Sequence, residues 1–393
     1  MQPTPPTSSV LGNRSPADFL NTYWQTQPLV VRDALPDFQS SLSPQELAGL
    51  ACEEGVESRI ILEEGGEHPW ELRHGPFASA DFLNLPETHW TLLVQEVDRL
   101  IPEVGALLDH FRFLPDWRLD DVMVSYAPTH GTVGPHIDNY DVFLLQGAGH
   151  RRWQIGTEPV ADEEIVPDLD VRILADFEAE EEFVLGPGDL LYLPPRVAHY
   201  GVATDDRCMT YSVGFRAPRH QDLVAHFLQH AIETLDSDAR YSDPDLTPVD
   251  HPGEIHDDAR RKVRRLLRDL VRDDAVDQWL GQYLTRPPRD REAVAPQTPM
   301  TEDELTDTLR AGHGLRPGPV ARLAFIEHDD GSATLFANGS PIDLSPDLSY
   351  AARVVTGRQQ IPNDALTPHL DDDAFVELLV DLINKGLLEG NAT

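Results

Sequence analysis

Short apolar stretches separated by turn residues dominate about the first 218 residues. Strands are predicted where β-branched and apolar side chains cluster between Gly, Pro and Asp. The clearest of these stretches are Leu29–Arg32, Ser58–Leu62, Val122–Tyr126, Val142–Leu145 and Trp153–Ile155. Two helices are predicted beside them, at Ser15–Tyr23 and Ser43–Glu54. Many short strands with frequent turns are typical of a β-sandwich or β-barrel.

The apolar spacing becomes helical in the next part of the chain, about residues 219–290. The apolar residues that recur at helical intervals there are Val263, Leu266, Leu267, Leu270 and Val271. Such a stripe needs to be buried, so the arginines between these residues are predicted to face water or acidic partners rather than RNA. His226 and His230 lie four residues apart on a predicted helix. Because no further ligand type lies beside them, they are interpreted as an ordinary pair rather than a metal site.

A third region follows a proline-rich break between Arg286 and Met300, which is typical of a linker. Thr301–Glu304 resembles a capping box that begins a helix. Ala321–Glu327 and Ser332–Ala337 are predicted to form a hairpin around Asp330-Gly331. Ala374–Leu388 is predicted to be an amphipathic final helix that ends at Gly390. Helices combined with one hairpin indicate a winged-helix-like module.

The charge balance changes the picture of possible partners. The 393 residues hold 31 basic and 68 acidic side chains, a formal net charge of −37, and only Lys262 and Lys385 are lysines. This balance argues against binding DNA or RNA through a basic face. Two explanations stay open, a surface adapted to high salt and an acidic surface that recruits a basic protein. The very acidic stretch between Gly156 and Leu185 is predicted to be a solvated surface excursion.

The location of the protein is predicted from what the chain contains. Cys52 and Cys208 are the only cysteines, which suggests a reducing compartment and no disulfide framework. The N-terminus shows no signal peptide pattern, and no apolar run approaches the ~20 residues of a membrane-spanning helix. We therefore expect a cytoplasmic protein without a membrane anchor.

The candidate chemistry centres on Gly134-Pro-His-Ile-Asp-Asn-Tyr-Asp141. If this segment is a strand, His136, Asp138 and Tyr140 share one face, which we expect to point into the barrel. A later histidine, His199, follows a Pro-Gly turn, a short apolar strand and a Pro-Pro corner. Two histidines and one carboxylate in this order predict an iron(II) centre with three open positions. 2-Oxoglutarate occupies two of these positions in oxygenases of this kind, and dioxygen takes the third.

The distal carboxylate of 2-oxoglutarate needs a cation deeper in the barrel. Arg151 is predicted to point inward, with Arg152 facing outward, because successive residues of a strand alternate. On another strand Asp121, Met123 and Ser125 share a face, so Ser125 is a second candidate for holding the cosubstrate. Asp121 would then meet a cationic substrate. The alternatives are that Arg151 pairs with a surface acid and that Asp121 caps a loop.

The run His-Ile-Asp-Asn-Tyr-Asp-Val-Phe-Leu-Leu-Gln-Gly-Ala-Gly-His-Arg-Arg-Trp, from His136 to Trp153, resembles the JmjC-type cupin ribosomal oxygenases of bacteria. Among these it is most similar to the arginine hydroxylases of the large-subunit ribosomal protein L sixteen. The segments Tyr23–Leu29, Trp90–Val97, Phe113–Met123 and Tyr241–Asp245 are similar to the same family. The resemblance covers most of residues 16–290 and is fainter beyond. One departure is His150, where the family often has another basic residue.

The resemblance implies an α+β fold in three parts. These are a double-stranded β-helix of the cupin/JmjC jelly-roll type over residues 1–218, a helical dimerisation region over 219–290, and a linker with a winged-helix-like domain over 291–393. It therefore also implies a homodimer.

The resemblance further implies roles for individual residues. It implies that His136, Asp138 and His199 bind Fe(II), and that Arg151, with Ser125, binds the cosubstrate 2-oxoglutarate. It places a second set of residues around the target arginine of a ribosomal protein, namely Asp121, Met123, Tyr140 and Ser212. In that pocket Asp121 pairs with the guanidinium, while Tyr140 and Met123 cover its flat faces.

Three rival functions stay open at this stage. The same chemistry could act on histidine, asparagine or methylated lysine, although an acid at Asp121 favours a cationic side chain. A non-catalytic cupin scaffold is a second rival, and the retained metal ligands and Arg151 argue against it. A DNA-binding winged-helix regulator is the third, and the acidic balance disfavours it.

Overall fold

A computed structural model of the chain describes residues 10–63, 70–161, 163–248, 250–287, 292–357 and 360–390. The chain divides into two compact units, Met1–Ala217 and Pro218–Thr393. Asp162 of the acidic stretch and Pro288 of the predicted linker lie outside the described residues.

Two antiparallel sheets build the first unit. Its strands are β1 (Leu29–Val31), β2 (Ser58–Glu63), β3 (Trp70–His74), β4 (Trp90–Val94), β5 (Leu119–Ala127), β6 (Val142–Ala148), β7 (Arg151–Pro159), β8 (Glu181–Leu185), β9 (Leu190–Leu193), β10 (Val197–Ala203) and β11 (Cys208–Phe215). The larger sheet has the order β1-β9-β6-β11-β5-β4-β2-β3, and the smaller one has the order β10-β7-β8. Several neighbouring strands, such as β1 with β9 and β5 with β11, are far apart in sequence, as in a jelly roll.

Helices precede and interrupt the large sheet. They are α1 (Pro16–Thr22), α2 (Pro44–Leu50), α3 (Ser79–Leu83), α4 (Val97–Leu100) and α5 (Pro102–Gly105), with 3₁₀ turns at Ala106–Phe111 and Asp116–Arg118. Ser15 and Ser43 each begin a helix with a capping box that also places a proline in the first turn. α2 ends at Leu50, so the predicted helix through Glu54 is too long.

Each face of the large sheet buries a different set of side chains. On the outer face Ile60, Leu92, Val124, Phe143 and Tyr211 pack with the helices into the main core. The inner face packs against the small sheet, and the apolar residues that the two sheets contribute there are Val142, Leu144, Trp153, Ile155, Leu185, Leu191, Leu193 and Val197. This two-sided burial explains the mostly apolar runs of the strands, and it leaves the remaining inner positions free for polar residues.

The five strands predicted from the sequence correspond to observed strands β1, β2, β5, β6 and β7, and only the first runs too far, because β1 ends at Val31 rather than at Arg32. The prediction that His136, Asp138 and Tyr140 share one strand is wrong. His136 forms only an isolated bridge with His199, and residues 137–141 are loop and bend before β6 begins at Val142. Residues 137–141 do not form a strand because their backbone is not paired with a neighbouring strand. The Asp138 carbonyl instead accepts the N–H of Arg196, which lies in the turn between β9 and β10.

The acidic stretch is only partly a solvated excursion. Its glutamates are largely exposed, but Ile173 and Leu174 are buried. An isolated bridge joins Ile165 to Leu174, and the Leu174 N–H donates to the Pro135 carbonyl at 2.8 Å. This segment therefore folds back onto the loop that carries His136.

The second unit begins with three helices, α6 (His220–Thr234), α7 (Asp257–Leu270) and α8 (Asp273–Thr285). Phe227, Ala231 and Trp279 form a small core between α6 and α8. No residue of α7 is buried, and its apolar residues Leu266 and Leu267 are 52% and 55% exposed. The apolar stripe predicted from the sequence is thus present, but within this chain only Leu270 packs against the small core, and the other four residues stay exposed.

The remainder of the second unit contains a further set of helices and strands. They are α9 (Glu302–Arg310), β12 (Leu315–Pro317), β13 (Leu323–Glu327), β14 (Ala333–Ala337), β15 (Ser340–Leu344), α10 (Tyr350–Val355), α11 (Asn363–Leu366), a 3₁₀ turn (Thr367–His369), α12 (Asp373–Asn384) and β16 (Leu388–Gly390). The capping box at Thr301 and the hairpin of β13 with β14 agree with the sequence. Among the described residues no helix is long and apolar enough to cross a membrane.

The predicted final helix is wrong at its C-terminal end. α12 ends at Asn384, Gly386 takes a left-handed conformation with φ 70°, and Leu388 pairs with Pro317 of β12. The glycine ends the helix because it adopts positive φ without strain. The apolar residues beyond it are buried in a sheet rather than on a helix face.

Candidate active site

His136, Asp138 and His199 come together at the open end of the inner sheet face. Their ligand atoms all lie within 4.8 Å of one another, and no other group of three such residues does so in the described part of the chain. The His199 Nε2 lies 3.6 Å from an Asp138 carboxylate oxygen, and the two imidazole rings are 4.2 Å apart at their centroids. Two imidazoles and one carboxylate that converge in this way form the donor set of a facial triad.

Backbone carbonyls fix which nitrogen each imidazole presents. The His136 Nδ1 lies 2.9 Å from the Gly134 carbonyl oxygen, and the His199 Nδ1 lies 3.0 Å from that of Val197. A carbonyl only accepts, so each Nδ1 carries the hydrogen and each Nε2 keeps its lone pair. Both rings are therefore oriented as metal ligands.

The main chain holds the two histidines opposite each other. The His136 and His199 N–H groups each donate to the other residue's carbonyl at 3.0 Å. Gly134 has φ 80°, and a Cβ there would lie 2.3 Å from the Ile173 side chain. Only glycine fits this turn, which sends the chain into His136 beneath the folded-back acidic segment.

Burial keeps His199 neutral. Its side chain is enclosed, and this burial, together with the neighbouring His136, lowers the pKa of His199 to about 4. At neutral pH the ring is therefore unprotonated, the state that a metal ligand requires.

Arg151 lies on the same inner surface, on the small sheet. It is 3% exposed, and its Nη2 is buried without a hydrogen-bond partner among the described residues. Its Nε donates to the Cys208 Sγ at 3.4 Å, and its guanidinium lies 5.6 Å from the centre of the Trp153 ring. Arg152 is only half-buried, in agreement with the predicted alternation. A buried cation with an unused donor fits the distal carboxylate of 2-oxoglutarate.

Polar side chains of the large sheet continue this pocket. Ser125 is buried and donates weakly to the Thr210 carbonyl at 3.4 Å. Thr210 in turn donates from its hydroxyl to Gln146, also buried. Ser125 and Thr210 are cross-strand partners, so their hydroxyls lie on one sheet face with Cys208 two residues along β11.

Asp121 lies further along the inner face of β5. It accepts the Glu96 backbone N–H at 2.8 Å, which is the loop-capping contact that the sequence left open. Burial, with repulsion from Asp120, Asp98 and Glu96, raises the pKa of Asp121 to about 7. Glu96 pairs with Arg99 and Asp120 pairs with Arg216, whereas Asp121 has no basic partner in the described residues. Asp121 can therefore serve as a loop cap and as the partner of a cationic substrate, because its carboxylate can accept the Glu96 N–H and bind a cation at the same time.

Met123, Tyr140 and Ser212 lie near Asp121. Met123 and Ser212 are cross-strand partners on β5 and β11, and Ser212 is buried. Burial first, and then the Asp138 carboxylate, raise the pKa of the Tyr140 hydroxyl well above its usual range. The ring of Tyr140 is still 41% exposed, so it forms an accessible wall of the pocket.

Sequence reasoning missed the group that anchors the metal-binding loop. Asp141 is fully buried and accepts hydrogen bonds from the Tyr192 hydroxyl at 2.7 Å and the Gln25 amide at 2.9 Å, beside Arg118 at 3.2 Å. Three donors on a buried carboxylate hold the chain immediately after Tyr140. The sequence does place an acidic residue, Asp141, directly before the apolar strand β6. Burying an unpaired charge there would be unfavourable, so a partner for Asp141 could have been expected.

Comparison with known proteins defines the family. The JmjC domain family matches residues 106–223, the ROXA-like winged helix matches residues 264–389, and the AraC-like ligand binding domain matches residues 177–284. The chain is 37% identical to the ribosomal protein uL16 3-hydroxylase of Escherichia coli, over 94% of this chain and 96% of that protein. It is 43% identical to a probable ribosomal oxygenase of Haemophilus influenzae, over 59% of this chain and 55% of that protein.

Solved structures agree with this relationship. The E. coli ribosomal oxygenase YcfD in complex with cobalt and 2-oxoglutarate superposes with a TM-score of 0.82 at 35% identity, covering 97% of this chain and 99% of that one. An X-ray structure of E. coli YcfD gives a TM-score of 0.85 at 35% identity, with 96% and 99% coverage. The chain therefore belongs to the JmjC-domain ribosomal oxygenases. Its fold is α+β, with a cupin/JmjC barrel and a winged-helix domain.

Proposed function

We propose that this protein is an Fe(II)- and 2-oxoglutarate-dependent oxygenase that hydroxylates an arginine of ribosomal protein uL16. The observation that carries the proposal is the convergence of His136, Asp138 and His199, with both Nε2 atoms free to bind a metal, near the buried and unsatisfied Arg151. The similarity to a uL16 3-hydroxylase supports the substrate.

The residues present fit the groups that this chemistry needs. His136, Asp138 and His199 would hold the iron, and Arg151, with Ser125, would hold the distal carboxylate of 2-oxoglutarate. When bound, the iron activates dioxygen, so that 2-oxoglutarate becomes succinate and carbon dioxide and the substrate gains one hydroxyl. The apolar Trp153, Ile155 and Leu144 exclude water from the inner pocket.

Asp121 selects the target side chain in this proposal. Its carboxylate lacks a basic partner among the described residues, and an arginine guanidinium would supply one. Met123 and Tyr140 would cover the flat faces of the guanidinium, and Ser212 would add a hydroxyl. A neutral histidine or asparagine would leave the buried carboxylate unpaired, so the pocket favours a cation.

The outer face of the small sheet, on the side away from His199, is suited to a basic protein. A groove of about 320 Å³ next to β7 and β10 is lined by five acidic side chains, Glu158, Glu164, Asp176, Glu178 and Glu180. Its negative potential would attract a positively charged ribosomal protein and orient its approach. A ribosomal substrate also suits the cytoplasmic location that we expect.

A homodimer is the second part of the proposal. Val263, Leu266 and Leu267 of α7 and Val271, which directly follows it, are each about half exposed. A second copy of this chain would cover this apolar stripe, because several exposed apolar residues on one surface are typical of a protein–protein interface. Residues 219–290 would then form the dimerisation region.

The test is mass spectrometry of uL16 incubated with the protein, Fe(II), 2-oxoglutarate and air, beside a His136→Ala variant. We expect one added oxygen on one arginine, absent with the variant. Turnover of 2-oxoglutarate without an added oxygen would keep the oxygenase and remove the substrate. No turnover by folded, iron-loaded protein would leave a non-catalytic scaffold.

A further inference from the structure

Arg59 and Gln95 lie side by side on the inner face of the large sheet. Arg59 of β2 is the cross-strand partner of Leu93, which in turn is the partner of Ser125. Gln95 continues β4, because its N–H donates to the Glu57 carbonyl at 2.9 Å. Since side chains alternate along a strand, Arg59, Leu93 and Gln95 all face the same side as Ser125. Diagonal neighbours of this kind are within reach of long side chains.

The opposite face of these strands is occupied by apolar side chains of the main core. Ile60, Leu92 and Val94 are buried in the main core, so Arg59 and Gln95 cannot be oriented toward it. Continuing the pairing of Val94 with Val124 places Gln95 beside Met123. Arg59 also belongs to the charged groups that act on the Tyr140 hydroxyl, together with Asp138 and Asp121. Both side chains therefore border the proposed substrate pocket.

Both side chains hold a buried polar atom with nothing to bind. The Arg59 Nε and the Gln95 Oε1 are shielded from solvent, and neither has a hydrogen-bond partner in the described part of the chain. Buried polar atoms are nearly always satisfied in folded proteins, and leaving one unsatisfied is unfavourable. A donor and an acceptor left unsatisfied on one wall of a pocket indicate a ligand that offers both groups.

The chemistry of the two atoms distinguishes among possible ligands. The target guanidinium would be repelled by Arg59 and already has Asp121. A carboxylate would suit Arg59 but would place its oxygens against the Gln95 oxygen, where both are acceptors. An extended main chain offers both groups on one side, a carbonyl for Arg59 and an N–H for Gln95.

We propose that Arg59 and Gln95 form a main-chain subsite, in which Arg59 Nε donates to a carbonyl and Gln95 Oε1 accepts an N–H of the substrate protein next to the hydroxylated residue. This inference rests on the proposed function, since it takes a protein as the substrate. The subsite fixes the depth at which the target side chain enters, independently of what that side chain is. The subsite thus recognises the position of the target residue in the substrate main chain, whereas Asp121 recognises the charge of its side chain.

The test uses synthetic uL16 peptides around the target arginine, assayed with wild type, Arg59→Leu and Gln95→Leu. One unmodified peptide is compared with peptides in which each neighbouring amide is N-methylated in turn. Removing one hydrogen bond to a buried partner should raise the peptide KM about tenfold. The kcat and the KM for 2-oxoglutarate should stay near the wild-type values. Gln154→Leu, which removes a surface glutamine bonded to Glu182, is the matched control.

The decisive comparison is between peptide and variant. One N-methylation should raise the KM of wild type about tenfold and leave that of Gln95→Leu unchanged, because the N–H it removes has no acceptor in the variant. Hydroxylation by wild type with an unaltered peptide KM in both folded variants would overturn the subsite alone. A raised KM for 2-oxoglutarate instead of the peptide would assign the pair to the cosubstrate and also overturn it. A wild type that hydroxylates no uL16 peptide would overturn the proposed function and the subsite with it.

Discussion

Replacing Asp121 by asparagine should stabilise the protein while impairing its activity. The carboxylate is buried among Glu96, Asp98 and Asp120, and its pKa is raised to about 7 from an ordinary 3.8. Asparagine has nearly the same shape, and its side-chain oxygen can still accept the Glu96 N–H. The substitution therefore removes the charge and keeps the capping contact. Activity should fall because the substrate cation loses its partner.

The magnitude follows from the two pKa values. The unfolded chain ionises Asp121 near pH 4, whereas the folded protein keeps it protonated until about pH 7. Folding therefore becomes less favourable as pH rises between these values, by about 1.4 kcal/mol per pH unit. The full difference is about 4 kcal/mol above pH 7, and partial solvation of the charge reduces it to about 2–4 kcal/mol. For a unit of this size the gain corresponds to a Tm increase of about 5–10 °C.

The assay is thermal unfolding of metal-free wild type and Asp121→Asn at pH 8, 7, 6 and 5. The variant should gain most at pH 8, and the gain should shrink steadily below pH 7. Asp109→Asn is the matched control, because Asp109 pairs with Arg112, is about half exposed and does not act on Asp121, so no gain is expected. An equal gain at every pH, or none at pH 8, would refute the argument that a buried, repelled carboxylate is the cause.

Three further predictions concern other parts of the molecule. Arg151→Lys should raise the KM for 2-oxoglutarate about 10–100-fold in a succinate-release assay, while Arg152→Lys should not, because only Arg151 is buried with an unused donor. Leu267→Glu should convert a dimer to a folded monomer by light scattering, since it places a charge in the exposed stripe of α7; an unchanged mass would contradict the proposed interface. The Tm should rise with added KCl because the net charge of −37 repels itself, and a salt-independent Tm would argue against salt adaptation.

The elements of the barrel could be predicted because their burial is periodic or continuous. Val122–Tyr126 and Val142–Leu145 are apolar on the core face and lie between turn residues, and each forms a strand in the structure. The sequence-based prediction is wrong where the local pattern favours one secondary structure and a distant pairing partner imposes another. The apolar spacing of Ala374–Leu388 stays helical past Asn384. Its last residue, Leu388, nevertheless lies in a strand, because it pairs with Pro317. A sequence pattern cannot show a partner that lies about seventy residues away.

The convergence of His136, Asp138 and His199 could be predicted from spacing, although the three residues do not converge through a shared strand. His136 and Asp138 converge because a loop, fixed by the Arg196 N–H and by the glycine at position 134, turns both side chains toward His199. Residues that alternate on a strand and residues that alternate in such a loop look the same in sequence. The motif was therefore a sound indicator of the chemistry and a poor indicator of the local backbone.

Arg59 and Gln95 could not be predicted, because these two residues matter through the hydrogen-bond partners that they lack. Arg59 and Gln95 are unremarkable in a strand sequence, where an arginine or a glutamine usually faces water. Only the pairing of β2 with β4 brings them together, and only burial leaves their Nε and Oε1 atoms without partners. Arg151 shows the same feature at the cosubstrate end. Unsatisfied polar atoms on the inner faces of both sheets therefore mark where two different ligands are expected to bind, the cosubstrate at Arg151 and the substrate main chain at Arg59 and Gln95.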